Sequence, residues 1–548
     1  MRTRTILSVV LLTASLVACG GGAPAPTPNP GGGDPTPTPG AFDLSVSTAR
    51  LPVLTGGSAT LTVNVTRQSG FTGPVTVALQ GLPAGASAAP VTVAADQTSA
   101  TMTVSAAGAA AHSLPTTVKV HGEGDGRTVD RDVTVTVRGA AGVVDTSFGQ
   151  GGKAVVDTSG KGADDYAYAM AVQPDGKIVV AGYAPINNTQ DFSVIRLTRD
   201  GALDPSFGTG GRVTIDFDGK SDDARAVAVA PDGKIVVAGS VTVGAGSGDI
   251  DFGVARLNTD GTPDAGFGAG GKVSVAIGAE VDRAYAVLVQ PDGKVVAGGY
   301  TNAGPVTGQD FALVRLTTNG TPDASFGTNG RAVAAVANGT AGDIIHALAL
   351  QGDRIVAAGG PADFQVARFT SQGQLDTTFG SGGKLTGITG SSFGNGANAV
   401  VIDAQNRIVV AGNSAQNTAA VRLGENGALD TSFGTGGKTV VKVSQDNWDE
   451  ATGVALQSDG KVVLGGWVYE GGGSSGNFTA LRLTADGQPD ATFGQGGVVI
   501  TAVADAGKSD LAHAMVLQPD ERVPATRILL AGQRSAGAND FAVTRLWE

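Results

Sequence analysis

Apolar and polar side chains alternate with a period of two along most of the chain beyond residue 42. Leu61-Thr62-Val63-Asn64-Val65, Val75-Thr76-Val77, Thr101-Met102-Thr103-Val104 and Val133-Thr134-Val135-Thr136-Val137 each place one face in a core and one in water. Gly and Pro clusters such as Thr55-Gly56-Gly57 and Leu82-Pro83-Ala84-Gly85 separate these runs as turns. The spacing predicts an all-β unit over residues 42–139, of the length and strand density of a two-sheet sandwich.

From residue 143 the alternation is set inside a repeat. Asp-x-x-Phe-Gly recurs at Asp145, Asp204, Asp264, Asp323, Asp376, Asp430 and Asp490, and a regular period of this size marks a repeat architecture. One unit shows the grammar. Ala226-Val227-Ala228-Val229 reads as a strand, and Pro231-Asp232-Gly233-Lys234 as a tight turn in which Pro presets φ and Gly accepts a positive one. Ile235–Gly239 reads as a buried strand, Phe252–Leu257 as a third and Lys272–Val275 as a fourth. Four short antiparallel strands per unit make a propeller blade. Seven units over 143–548 predict a seven-bladed β-propeller. The repeat begins on a fourth strand (residues 145–156) and ends on a third, Phe541–Leu546, so an N-terminal outer strand is expected to complete the last blade and remove its open edge.

These motifs, Asp-x-Ser-Phe-Gly-x-Gly-Gly-Lys with Pro-Asp-Gly-Lys-Ile-Val-Val-Ala-Gly and Asp-Phe-x-Val-x-Arg-Leu, resemble the delta-60 repeat family of bacterial β-propellers. The resemblance spans Val143 to Glu548 and implies a fold without a particular activity. The turn departs from the pattern at Gln351-Gly352-Asp353 and at Ala404-Gln405-Asn406-Arg407, and residues 521–527 are an insertion. The 42–139 unit resembles the bacterial Ig-like spacer domains of surface proteins, in architecture only, because it lacks the Cys…Trp…Cys core.

The N-terminus changes the picture from a free domain to an anchored one. Arg2 and Arg4 precede a twelve-residue apolar run, Ile6 to Val17, too short for a permanent membrane helix. Leu16-Val17-Ala18-Cys19 resembles the bacterial lipobox, which implies a signal peptide over 1–18 and a lipid on Cys19. Residues 19–41, almost all Gly, Pro and Thr, form a linker that buries no core. The expectation is a secreted protein, lipid-anchored at the outer surface of the bacterial envelope.

Composition narrows the chemistry. Net charge is −12 over 548 residues, and no basic stripe fit for phosphate backbones appears, which argues against nucleic acid. The single cysteine excludes an internal disulfide framework and a thiolate zinc site. No nucleophile elbow, zincin motif, P-loop or dinucleotide fingerprint occurs. No catalytic residue, cofactor or metal ligand is therefore assigned, and the protein is expected to be a monomer.

Residues that recur in every unit serve the unit. The Phe series (Phe148, Phe207, Phe267, Phe326, Phe379, Phe433, Phe493) is expected between blades. The Arg series (Arg196, Arg256, Arg315, Arg368, Arg422, Arg482, Arg545) is expected to pair with a carboxylate or carbonyl of its own blade. For Asp165, Asp222, Asp282, Asp343, Asn395, Asp449 and Asp510 two readings stand: cation binding at the channel mouth, or acceptance of backbone N–H groups in the entering loop, the latter favoured. Three residues on, the series varies: Tyr168, Arg225, Tyr285, His346, Asn398, Thr452, His513. Broken symmetry is where ligand preference would reside. All six tyrosines, with Trp448 and Trp467, fall toward one loop face, and such amphipathic rings suit contact surfaces. The candidate ligand-binding set is Tyr168, Arg225, Tyr285, His346, Trp448, Trp467 and His513. It points to a binding or scaffold module for glycan or protein. The alternative is a carbohydrate-active hydrolase or lyase working through propeller carboxylates.

Overall fold

Each strand forms where alternation and its flanking turn residues place it. The computed structural model describes residues 41–548 apart from 69, 161, 187–188, 245–247, 303–307, 338–341, 362, 392–395, 445–447, 471–474, 505–507, 521–524 and 536. The expected signal peptide, Cys19, the linker up to residue 40, Asn395 and most of the 521–527 insertion lie outside the described residues. Among the described residues every element is a strand.

Residues 42–138 form two sheets. One has the order Phe42–Val46, Ser58–Arg67, Ser99–Ala106, Ala86–Ala88. The other has the order Arg50–Leu54, Arg127–Arg138, Thr116–Gly124, Val75–Gln80, Val91–Val93. Leu61, Val63, Met102 and Val104 of the first share a core with Val75, Val77, Val118, Val133 and Val135 of the second. This is a two-layer sandwich, and the period-two pattern supplies its inner faces.

Among the described residues, seven four-stranded antiparallel sheets follow. The first comprises Tyr166–Val172, Ile178–Ile186, Thr189–Leu197 and Arg212–Ile215. The second to sixth repeat that order, beginning at Asp222, Asp282, Ile345, Gly396 and Asp449. The seventh takes Asp510–Asp520, Ala525–Ser535 and Asn539–Trp547 from the C-terminus, and Lys153–Val156 from far upstream as its outer strand. The register is Lys153↔Thr544, Ala154↔Val543, Val155↔Ala542 and Val156↔Phe541. First strands of successive sheets contact one another in order, and the first strand of the seventh sheet contacts that of the first, so the sheets close into a ring.

The Asp-x-x-Phe-Gly segment fastens each sheet to the next. Phe207 is fully buried and shares a cluster with Val179 and Val194 of the first sheet and Ile235 and Val237 of the second. Phe148 does the same between the seventh and first. Burying one such ring contributes about 1.5–3 kcal/mol. The Arg series pairs with the Asp of the same motif at 2.6–2.9 Å. Each guanidinium also lies 4.5–4.8 Å over the motif's Phe ring. Arg315 further donates to Ser371 O of the next sheet at 2.6 Å, and Arg422 to Ala485 O at 2.6 Å. The own-sheet pairing agrees with expectation; the reach to the next sheet is an addition.

Sandwich and ring meet at His112. Its Nδ1 accepts a hydrogen bond from Trp547 Nε1 at 3.0 Å and from Thr146 N at 3.1 Å.

Candidate functional site: the channel and its tyrosine-rich mouth

The varying series occupies one structural position in all seven sheets. In every first strand the pairing register slips by one residue at that point, between Ala167 and Ala169, Ala224 and Ala226, Ala284 and Ala286, Ile345 and Ala347, Ala397 and Ala399, Ala451 and Gly453, and Ala512 and Ala514. Tyr168, Arg225, Tyr285, His346, Asn398, Thr452 and His513 are therefore the extra residues of seven β-bulges, which re-aim a side chain out of the pleat. The second strand must pass close to each bulge. A Cβ on Gly182, Gly239, Gly299, Gly359, Gly412, Gly466 or Gly532 would run into the carbonyl oxygen of Tyr166, Asp223, Arg283, Ile344, Gly396, Glu450 or Leu511. That contact is the physical reason for a Gly at this position of every second strand.

The seven bulge residues line a central cavity of about 640 Å³, together with Glu450 and small apolar residues of the first strands. They also touch across the sheet junctions. The Arg225 guanidinium lies 3.9 Å over the Tyr168 ring, and Tyr168 packs at 5.0 Å on His513. Tyr285 meets His346 edge-on at 5.8 Å, and His346 Nδ1 donates to Ala397 O at 3.0 Å. Asn398 donates to Glu450 Oε1 at 2.7 Å, and Thr452 to Ala512 O at 2.9 Å. Burial pushes His346 down and His513 down to about 4, so both imidazoles are neutral near pH 7.

A second concavity, of about 610 Å³, opens over the second sheet. Tyr183, Gln190, Asp222, Asp223, Arg225 and Arg283 are among the residues that line it. Arg225 joins groove and channel, and Asp223 Oδ2 holds it at 2.7 Å. Tyr166, Tyr168 and Tyr183 form one ring cluster with centroids 5.1–6.4 Å apart, and Tyr285 stacks on Tyr300 at 6.1 Å.

Five of the seven candidate residues thus meet in the channel: Tyr168, Arg225, Tyr285, His346 and His513. Trp448 and Trp467 stand outside it. Trp448 directly precedes the first strand of the sixth sheet, and Trp467 pairs opposite Glu450 and packs on Tyr469 at 4.9 Å. The sequence pattern did not single out Glu450 or Arg283, and it placed Tyr183 with the other tyrosines at the loop face without including it in the candidate set. The strand register was the available signal, since Tyr183 and Glu450 are cross-strand partners of Tyr166 and Trp467.

The aspartates three residues before the bulge hold the entering loops. Asp222 Oδ2 accepts Phe217 N at 2.7 Å. Asp343 Oδ2 accepts Val336 N and Ala337 N at 2.7 and 2.9 Å, and Asp510 Oδ2 accepts Val503 N and Ala504 N at 2.7 and 2.8 Å. At the fourth-to-fifth junction Asp363 accepts Thr389 N and Gly390 N, at 2.8 and 3.0 Å. Burial pushes Asp222 up to about 7 and, aided by Asp216, Asp191 up to about 6. Oxygens of Asp191, Asp216 and Asp222 lie within 4.8 Å of one another, as do those of Asp157, Asp165 and Asp540.

Six segments, 173–207, 230–267, 290–326, 352–379, 406–433 and 457–493, match the family model described as a domain of unknown function (DUF5122) beta-propeller. The chain is a β-propeller repeat protein. Each matched segment of the propeller runs from the turn after a first strand to the Phe of Asp-x-x-Phe-Gly, the part that builds sheet and junction. No curated protein matches the chain. Among solved structures, domains 5–6 of the S-layer protein SbsC are 19% identical over 44% of this chain and 98% of that one, with a TM-score of 0.15. A DUF4784 family protein from Bacteroides caccae is 10% identical over 90% of this chain and 92% of that one, with a TM-score of 0.20. Similarities this low carry no argument about the propeller.

Proposed function

We propose that this protein is a lipid-anchored envelope lipoprotein whose seven-bladed β-propeller binds a glycan at its tyrosine-rich mouth, spaced from the membrane by the Ig-like sandwich and the linker. The observation that carries the reading is the groove over the second sheet. There Tyr183 supplies an aromatic ring, while Gln190, Asp223, Arg225 and Arg283 supply donors and acceptors in the same lining. Sugar rings present an apolar face and a rim of hydroxyls, and such a lining complements both. Residues 20–40, at about 3.1 Å each in extended form, would carry the sandwich, and the propeller beyond it, up to roughly 65 Å from a lipid on Cys19.

Glycan-array screening of residues 42–548, followed by calorimetry on the best binder, tests this. Tyr183→Ala and Arg283→Ala should each weaken binding at least tenfold, as central contact residues do. The double variant Trp448→Ala/Trp467→Ala should leave affinity unchanged. The opposite pattern would move the site to the sixth sheet, and no bound glycan would remove the reading.

One observation favours a hydrolase as a second reading: Asp222, at about 7, has the protonation a general acid needs and lines the groove. Its oxygens already accept Phe217 N and Thr242 N, which suits a structural role better. Turnover of the bound glycan that is lost in Asp222→Asn would establish the enzyme.

A further inference from the structure

Three chain segments remote in sequence meet where the ring closes. Asp157 directly follows the closing strand Lys153–Val156, Asp165 directly precedes the first strand of the first sheet, and Asp540 lies in the strand that receives the closing strand. A carboxylate oxygen of each lies within 4.8 Å of the others. Backbone donors answer part of this charge: Thr158 N and Ser159 N reach Asp165 Oδ2 at 2.6 and 3.1 Å, and Gly160 N and Gly162 N reach Asp157 at 2.6 and 3.2 Å. Arg534 pairs opposite Asp540 in the register. Asp165 is nonetheless wholly buried, and its Oδ1 has no hydrogen-bond partner. A buried carboxylate oxygen without a donor or a cation is costly.

The other junctions give an internal comparison. The position of Asp157, directly after the fourth strand, is Ala276, Ala335, Lys442 and Ala502 at four of them. Asp343 and Asp510 carry the same orphaned oxygen, but beside Ala335 and Ala502 in place of a further carboxylate, so that, among the described residues, Asp343 has only Asp310 near it. At the first-to-second junction Asp191, Asp216 and Asp222 repeat the trio, yet both oxygens of Asp222 are taken by backbone N–H groups. Among these junctions, three carboxylates and an orphaned buried oxygen coincide at the closure.

We propose that Asp157, Asp165 and Asp540 bind a calcium-class divalent cation, and that this ion clips the N-terminal strand to the C-terminal strand and so locks the ring. Hard cations take carboxylate oxygens, and Ca²⁺ contacts of 2.3–2.6 Å span oxygens at this spacing, with water and carbonyl oxygens completing its shell. Mg²⁺ demands a stricter octahedron and gives up its waters reluctantly, so three protein carboxylates favour Ca²⁺ over it. Binding only to the closed ring stabilises closure by mass action.

The experiment uses residues 42–548, stripped with chelator and titrated with Ca²⁺ or Mg²⁺ at constant ionic strength. Hydrogen exchange of the Lys153–Val156 amides and the melting temperature are read. Millimolar Ca²⁺ should slow that exchange at least tenfold and raise the Tm by several degrees, with Mg²⁺ weaker. Asp540→Asn, at a half-exposed position, should weaken the Ca²⁺ response at least tenfold, whereas Asp310→Asn at the third-to-fourth junction should preserve it. Terbium luminescence excited through the adjacent Tyr166 reports occupancy of the unmutated chain even if a variant fails to fold. No response to Ca²⁺, an equal response to Mg²⁺, an undiminished response in Asp540→Asn, or no sensitised terbium emission would each overturn the proposal.

Discussion

Asp191 and Asp222 show how burial turns a capping carboxylate into a pH-sensitive one. Both titrate above the 3.8 of a free aspartate, at about 6 and about 7, because burial penalises the anion and neighbouring carboxylates add to it. The folded state therefore holds protons that the unfolded chain has released. The resulting stabilisation is complete below pH 3.8 and is lost as pH rises through 6 to 7. The Tm contribution of this site should accordingly fall between pH 5 and pH 8. Asp191→Asn should flatten that slope and raise the Tm at pH 8, measured by calorimetry; an unaltered slope would show that Asp191 is not the titrating group. In the Asp-x-x-Phe-Gly motif the balance is reversed. Burial would raise Asp264, but hydrogen bonds from Lys234, Gly266 N and Arg256 outweigh it and hold the carboxyl at about 2. That each Arg pairs within its own sheet was legible in the sequence because it recurs in every unit; that the partner is the Asp of Asp-x-x-Phe-Gly came from the structure. The two aspartate trios were not legible, since each gathers residues from strands of two sheets.

At the scale of the element, the bulge and its facing glycine form one device. The bulge turns a single side chain per sheet toward the channel, and the glycine leaves room for the displaced carbonyl. Gly299→Ala should force the second strand away from Arg283 O and cost about 1–3 kcal/mol, as overpacking of a close-packed site does. Gly248→Ala, where a Cβ meets nothing within 4 Å, should stay within about 0.5 kcal/mol. Chemical denaturation of the two variants side by side checks this, and equal losses would remove the steric account. Seven variable residues were visible as a series in the sequence, yet the bulge was not. Register is a property of two paired strands, and no single strand carries it.

The whole molecule adds a joint between sandwich and ring. Neutral His112 accepts two hydrogen bonds at one nitrogen, and burial holds its pKa below 6.5. Asp145 opposes that shift and Arg527 supports it. Protonation of Nδ1 would remove both acceptor contacts. The stability this joint contributes is present above pH 6.5 and is lost as pH falls through the lowered folded value. As pH falls below 6.5 and through that lowered value, the Trp547 indole N–H should become exchange-labile and the angular spread between sandwich and ring should widen, read by NMR and small-angle scattering. His112→Gln, which keeps a polar acceptor without the titration, should abolish the pH dependence. A dependence that persists in that variant would assign it elsewhere.

Alternation, turn chemistry and the repeat period are local signals, and they sufficed to determine strand class, the repeated sheets, the sandwich ahead of them and the pairing of the first repeat segment with the last. A strand's two faces and a turn's φ values are set by neighbouring residues, and the terminal pairing follows from a repeat that begins on a fourth strand and ends on a third. Tertiary structure decided which side chains share a space: the tyrosine groove, Glu450 in the channel, Trp448 and Trp467 outside it, and the carboxylates at the closure. Those meetings depend on register between paired strands and on contact between sheets, neither of which any one strand's own sequence carries.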